Sequence, residues 1–345
     1  MWPTNCKMRK RKIVIVCGTA LLIAAAAAVG VVVASRNHRQ PAPPPDVPVA
    51  ALPAEVRVKA VERKSEPPDH EVVEASTAVA VVCGADATTV DRYEARNDAL
   101  RSIARRRDLP EKDVASLVKF LASAKDPLPV ERMAALKNDV MNLLRNQAPP
   151  PKELAETLIA MIEGNDSNRG GALRTARPTM MADRHPSAVL DYCIQHLGAM
   201  INMVDEPTRL RVRGVLAKAS GEKGKPYSGT ALYSLAEDRR ATPSQAAELK
   251  RLTLALCRPG AHPAARMAAI QLAGQRGCRE VLPALRETLA APARDAALDI
   301  VSIGSIGLLG DASDIALLSR FSSDRRCAAA VEAAIKRINE REVAK

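Results

Sequence analysis

The sequence predicts an all-α protein, an α-solenoid of stacked helical hairpins, and three observations predict it. Hydrophobic residues make up 47% of the 345 residues while aromatics make up 2%. The core must therefore be built from Ala, Leu, Val, Ile and Met, a palette that favours helices over aromatic and β-branched strands. From about residue 88 to the end, apolar residues recur at helical spacing between breaks. In the last third a short unit, R-x-A-A, comes back at intervals of 28 and 32 residues.

The chain opens on a basic tail, residues 1–12. An apolar run follows from Ile13 to Ser35, 23 residues without a charge. At about 1.5 Å per residue such a helix covers roughly 34 Å, enough to cross a bilayer, so 13–35 is expected to contact lipid as a transmembrane signal anchor. Lys7, Arg9, Lys10, Arg11 and Lys12 precede the run, and only Arg36 and Arg39 follow it in the next twenty residues. That asymmetry places the amino terminus in the cytoplasm and the carboxy-terminal domain outside, a single-pass arrangement in the cell (inner) membrane with a periplasmic domain. Val32-Val33-Ala34 also offers small residues to a signal peptidase, but the run exceeds the roughly 7 to 15 residues of a cleaved signal's apolar core. Both readings put the domain outside the cytoplasm.

Residues 36–87 read as a Pro-rich linker. Pro41, Pro43, Pro44, Pro45, Pro48, Pro53, Pro67 and Pro68 block helix propagation and leave a semi-rigid spacer. Within it, 71–87 is open between a short strand, a helical lead-in and more tether.

The remaining residues, 88–345, form the helical domain. Val90, Tyr93, Leu100 and Ile103 share one helix face, and Val114, Leu117, Val118 and Leu121 share the next. Further faces follow at Met133, Leu136, Val140, Leu143 and Leu144, then at Leu154, Leu158, Ile159 and Ile162, then at Leu190, Ile194, Leu197, Ile201 and Val204. Pro110, Pro129, Pro151 and Pro243 stand just ahead of amphipathic runs, where a missing N–H does no harm. Thr242-Pro243-Ser244-Gln245 has the form of a capping box.

The recurring unit is Arg266-Met267-Ala268-Ala269, Arg294-Asp295-Ala296-Ala297 and Arg326-Cys327-Ala328-Ala329, with an outlying match at Arg132-Met133-Ala134-Ala135. The first two copies run into glycines, Gly274 and Gly277, then Gly304, Gly307 and Gly310, read as breaks before a second apolar helix at Val281–Leu285 or Ile315–Leu318. One hairpin cannot bury its apolar face alone, so copies must stack, and the Ala pairs are expected at the contacts. Ala297 in particular is expected to touch a neighbouring helix. With these residues the sequence resembles bacterial HEAT-repeat proteins of the PBS-lyase HEAT-like type, His262–Gly274 as first repeat helix and Cys278–Leu289 as second. The resemblance is clearest over 260–338. It implies stacked helical hairpins and a surface for binding another protein.

Several function classes find no support. Lys7, Arg9, Lys10, Arg11, Lys12, Arg36 and Arg39 account for all but five of the net charge of +12, so the domain carries an ordinary surface charge. With seven aromatics in the whole chain, stacking platforms for nucleic acid are missing, and no nucleic acid is expected. The five histidines are dispersed and no H-E-x-x-H, G-x-S-x-G, Walker or dinucleotide fingerprint occurs. No catalytic residue, metal ligand, cofactor or small-molecule substrate is expected, and the protein is read as no enzyme. His196 is expected to be a partly buried, hydrogen-bonded histidine. Cys83, Cys193, Cys257, Cys278 and Cys327 lie beyond the anchor, and a Cys257–Cys278 bridge is weighed against isolated packed thiols, which are commoner.

The reading is a membrane-tethered scaffold that binds another protein outside the cytoplasm. Its alternatives are a non-catalytic or lyase-like accessory subunit of an enzyme system, suggested by the family name alone, and a nucleic-acid-binding HEAT domain if the topology is reversed. The longest gap between helices, Gly164 to Ser187, carries Arg169, Arg174, Arg177 and Arg184 and is the expected partner-binding segment.

Overall fold

The computed structural model describes residues 69–123, 126–164, 188–292 and 294–343. The tail 1–12, the apolar run 13–35, linker residues 36–68, and Arg169, Arg174, Arg177 and Arg184 lie outside the described residues.

Fourteen α-helices and no strand occur among the described residues. They are α1 Asp69–Val82, α2 Tyr93–Ile103, α3 Glu111–Ala122, α4 Val130–Arg145, α5 Lys152–Gly164, α6 Ala188–Met200, α7 Glu206–Gly221, α8 Ser228–Ala236, α9 Pro243–Cys257, α10 Pro263–Gln275, α11 Leu282–Ala290, α12 Ala296–Leu309, α13 Ile315–Ser319 and α14 Ala328–Val343. Single 3₁₀ turns, Arg279–Val281 and Ala312–Asp314, lead into α11 and α13. Among the described residues no helix is long and apolar enough to cross a membrane.

Short polar signals start these helices. Gln245 N–H donates to the Thr242 hydroxyl at 3.3 Å while Thr242 N–H donates to the Gln245 carboxamide at 2.9 Å, the reciprocal exchange expected at α9. Asp205 accepts from Thr208 N–H to start α7, and Asp295 accepts from Ala297 and Leu298 to start α12. Pro243 and Pro263 open α9 and α10, and Pro110 and Pro129 immediately precede α3 and α4.

The helices pack as consecutive pairs, α1 with α2 through α13 with α14. The even helices also contact one another in unbroken order from α2 to α14, and the odd helices do so from α1 to the turn that leads into α11. One aliphatic core runs between the two rows from Ala75 to Ile338, with Phe120, Tyr227 and Phe321 as its aromatic members.

Residues 71–87, open on sequence, contain most of a helix, so part of the segment assigned to the linker is folded. Ala75, Ala78, Val79 and Val82 of α1 are buried. Gly84 follows at φ +71°, a left-handed turn that glycine adopts without strain. The turned chain leaves the Val82 carbonyl to Arg96 of α2, whose Nε and Nη2 donate to it at 2.9 and 2.8 Å while Nη1 reaches Asp126 at 2.8 Å.

Two expectations about the repeated unit fail. Ala297 is exposed, whereas Ala269 is fully buried. The reason is register: α10 begins three residues before Arg266, so Ala269 lies in its second turn, while Ala296 and Ala297 are the first two residues of α12. The three arginines differ as well, Arg266 donating to the Cys257 carbonyl, Arg294 pairing with Asp299 and Arg326 with Asp324. Nor are the glycines all breaks, since Gly274, Gly304 and Gly307 lie inside helices.

Candidate interaction face

The even row is held together by small residues. A Cβ on Gly198 of α6 would fall 2.5 Å from Ser234 Cβ of α8, and one on Gly229 of α8 would fall 2.9 Å from Ala265 Cα of α10. The same closeness recurs between Gly274 of α10 and Ser305 of α12, and between Gly307 of α12 and Ala334 of α14. Ser305 Oγ then donates to the Ile270 carbonyl across the α10–α12 contact at 3.1 Å. Backbones that approach so closely leave no room for long side chains between the helices.

Four neighbours in this row, α6, α8, α10 and α12, are nearly free of charge. Their formal charges are Asp191, Arg266 and Asp299. Each is engaged: Asp191 accepts from Gln195 at 3.0 Å and bonds Thr230, Arg266 turns back to Cys257 and Thr288, and buried Asp299 accepts from Arg294 at 2.8 Å. The odd helices opposite them are charged, with Arg211 and Lys218 on α7, Lys250 and Arg251 on α9, and Arg286 and Glu287 on α11.

Apart from Asp191 and Arg266, both partly exposed, what the four helices leave accessible is mainly aromatic, amide and aliphatic. Tyr192 and Gln195 of α6, Tyr233 of α8 and Gln271 of α10 are half-buried, and Leu308 of α12 is 44% exposed. Gly304 has open space where a side chain would stand. Burial pushes the Tyr233 phenol up to about 12, and burial followed by Asp191 and Asp139 raises that of Tyr192, so both stay neutral. With Tyr93 of α2, three of the chain's four tyrosines stand partly exposed on even helices. Tyr93 lies under the Arg132 guanidinium, 5.5 Å from its ring centre, at the edge of a ≈ 240 Å³ hollow between α2 and α4.

The titratable groups inside the fold are arranged for packing. His196 of α6 is 4% exposed, its Nε2 lies 3.2 Å from Asn138 Oδ1 and its Nδ1 3.5 Å from Arg145. Burial, helped by the Arg145 charge, pushes it down to about 3, so it stays a neutral hydrogen-bonding ring. Lys137 donates to the Leu121 and Ser123 carbonyls that end α3, and burial lowers it to about 8. Burial pushes the Cys193 and Cys257 thiols up to about 12 and Cys278 to about 11, and Cys257 and Cys278 are free thiols rather than a bridge. Asp238 sits fully buried between Arg209 and Arg213 and fastens α7 to the end of α8. Among the described residues no group of three or more His, Cys, Asp or Glu is placed to hold a metal ion.

Sequence reasoning singled out the R-x-A-A copies and the four arginines before α6, and it missed the charge-poor row. The signal was present in Ala188–Met200, Ser228–Ala236, Pro263–Gln275 and Ala296–Leu309, each nearly free of charge. It becomes a surface only once those helices are known to be neighbours.

No protein-family model matches the chain, and no curated protein matches it. Among solved structures the chain is similar to human deoxyhypusine hydroxylase in complex with glycerol, at 14% identity over 79% of this chain and 100% of that one, with a TM-score of 0.30. A likeness at that level carries no inference about this chain.

Proposed function

We propose that the protein is a membrane-tethered scaffold, a HEAT-like α-solenoid that binds another protein outside the cytoplasm through the outer face of its even helices. The observation that carries this reading is the charge-poor face itself. Across α6, α8, α10 and α12 the accessible side chains are mostly uncharged, with two tyrosines and Met267 among them, and depletion of charge with tyrosine and methionine present is what marks the centre of a protein interface. Pairs whose principal contacts are with the pairs before and after them are how helical repeats carry such a face along several units. The apolar run 13–35 supplies the anchor, the prolines of 36–68 the reach, and the cations of 1–12 the orientation. Arg169, Arg174, Arg177 and Arg184 precede α6 directly in the chain, so an acidic rim on the partner would suit them. The reading assigns no catalytic step to the protein.

The test introduces charge at one open and one exposed position of α12. Gly304 has open space around it and Leu308 is exposed, so Gly304→Glu with Leu308→Lys should leave the helical content and melting temperature of the full chain nearly unchanged. The main protein recovered with the parent chain from gently solubilised membranes should then be lost. Undiminished recovery with the double variant would rule out this face.

A further inference from the structure

Between α2 and α4 the even row stays open. From α6 to α14 each junction is closed by a glycine against a small residue, whereas α2 and α4 contain no glycine. The ≈ 240 Å³ hollow between them has an aliphatic floor, Leu100 and Leu143, both buried. Its wall is polar, with Asn97 of α2, Asp139 of α4 and Asn146 at the end of α4. The hollow is smaller than the roughly 300 to 1,000 Å³ of a site for a drug-sized ligand, so it suits one long side chain or a molecule of that size.

Charge around the hollow is unbalanced at one residue. Arg101 pairs with Asp98 at 3.6 Å and Arg132 with Glu94 at 3.3 Å, in both cases with an acid of α2. Asp139, exposed at the rim, has no hydrogen-bond or ion-pair partner among the described residues. Desolvation raises its carboxyl above the ordinary value, more than the nearby Arg101 charge lowers it. The carboxamides of Asn97 and Asn146 likewise have no partner among the described residues.

We infer that this hollow binds a guanidinium group on an aliphatic stem, the chemistry of an arginine side chain. A guanidinium has five N–H donors in one plane and no acceptor, so two can meet the Asp139 carboxylate while others reach a carboxamide oxygen of Asn97 or Asn146. It is also weakly hydrated, and its stem can lie along Leu100 and Leu143. A neutral ligand leaves Asp139 uncompensated, and an anion is repelled by it.

Such a group can come from an arginine of a partner protein or from a free small guanidinium compound. Asp139 also raises the phenol of Tyr192 on α6, so the hollow adjoins the charge-poor face, which favours the partner's arginine.

The probe is N-acetyl-L-arginine amide, with N-acetyl-L-citrulline amide as its neutral isostere, titrated into the detergent-solubilised full chain and followed by saturation-transfer NMR of the probe. A ligand this small should bind with a Kd on the order of 1 mM, and the citrulline compound should not bind. Asp139→Asn should weaken binding at least tenfold with an unchanged circular-dichroism spectrum, and Asp139→Glu should restore most of it. No binding of the arginine compound, equal binding of the citrulline compound, or undiminished binding by Asp139→Asn would each overturn the inference. A second arm adds the arginine compound during recovery from gently solubilised membranes. Displacement of the main co-purifying protein identifies a partner's arginine as the natural occupant, and unchanged recovery identifies a free guanidinium compound. The titration needs no partner, so it stands even where the charge-poor face proves to bind nothing.

Discussion

Gly304 and Gly307 stand one helical turn apart on α12 and face opposite surroundings. Gly304 has nothing within 4 Å of where a Cβ would be, while a Cβ on Gly307 would meet Ala334 Cα at 2.7 Å. Helix propensity favours alanine over glycine at both sites by about 1 kcal/mol, so surroundings alone decide the sign. Gly304→Ala should stabilise the protein by roughly 0.5 to 1 kcal/mol, and Gly307→Ala should destabilise it by roughly 1 to 3 kcal/mol as α14 is pushed away. Chemical denaturation of the two variants measures both, and shifts of the same sign would mean that α12 and α14 are not in close contact. The pair also shows what was legible at this scale. Apolar spacing and caps could be read directly, since Thr242, Gln245 and the buried Leu and Ile positions act within one helix. Gly307 read as a break because its low propensity is a local property, whereas the backbone of α14 that requires it lies 27 residues further along the chain.

At the scale of elements, α1 is the boundary that matters. Ala75, Ala78, Val79 and Val82 satisfy helical spacing, but the continuous apolar stretch Ala78–Val82 fits a strand buried on both faces equally well, so periodicity could not decide. What decides is a distant residue: Arg96, fully buried on α2, needs the Val82 carbonyl that only the end of α1 provides. Its remaining contacts are the Val90 carbonyl at 3.0 Å, Asp126 and the Phe120 ring 5.3 Å away. A domain that begins at residue 88 therefore loses two buried valines and leaves Arg96 short of an acceptor. Relative to a domain beginning at Asp69, it should lose roughly 4 kcal/mol or more of stability, from apolar burial at about 1.5 to 3 kcal/mol per valine and the stranded guanidinium. Urea denaturation of the two chains side by side gives the difference, and coincident curves would show α1 to be dispensable.

For the molecule as a whole, principal contacts run only between helices of the same or adjacent pairs, so no pair depends on a distant one. Folding energy in such an array is close to a sum of terms for each pair and for each junction. The all-helical fold followed from the sequence, because short Ala-rich hairpins must pack on one another to bury their faces. The place where stacking is tightest did not follow: R-x-A-A marks helix starts at varying register, while the junctions are made by Gly198, Gly229, Gly274 and Gly307 with Ser234, Ala265, Ser305 and Ala334. The additive picture gives a direct expectation for removing the last pair. Ending the chain after Leu309 deletes α13 and α14 and uncovers one face of α12, where Gly307 loses its contact with Ala334. Only one junction is lost, so α1 to α12 should remain helical in circular dichroism and unfold cooperatively at a lower temperature. Hydrogen exchange should quicken in α12 first and hardly at all in α2 or α4, since both lie several junctions away. Loss of protection throughout α1 to α12 would instead mean that the helices share one indivisible core and that the stacked-pair account of the fold is wrong.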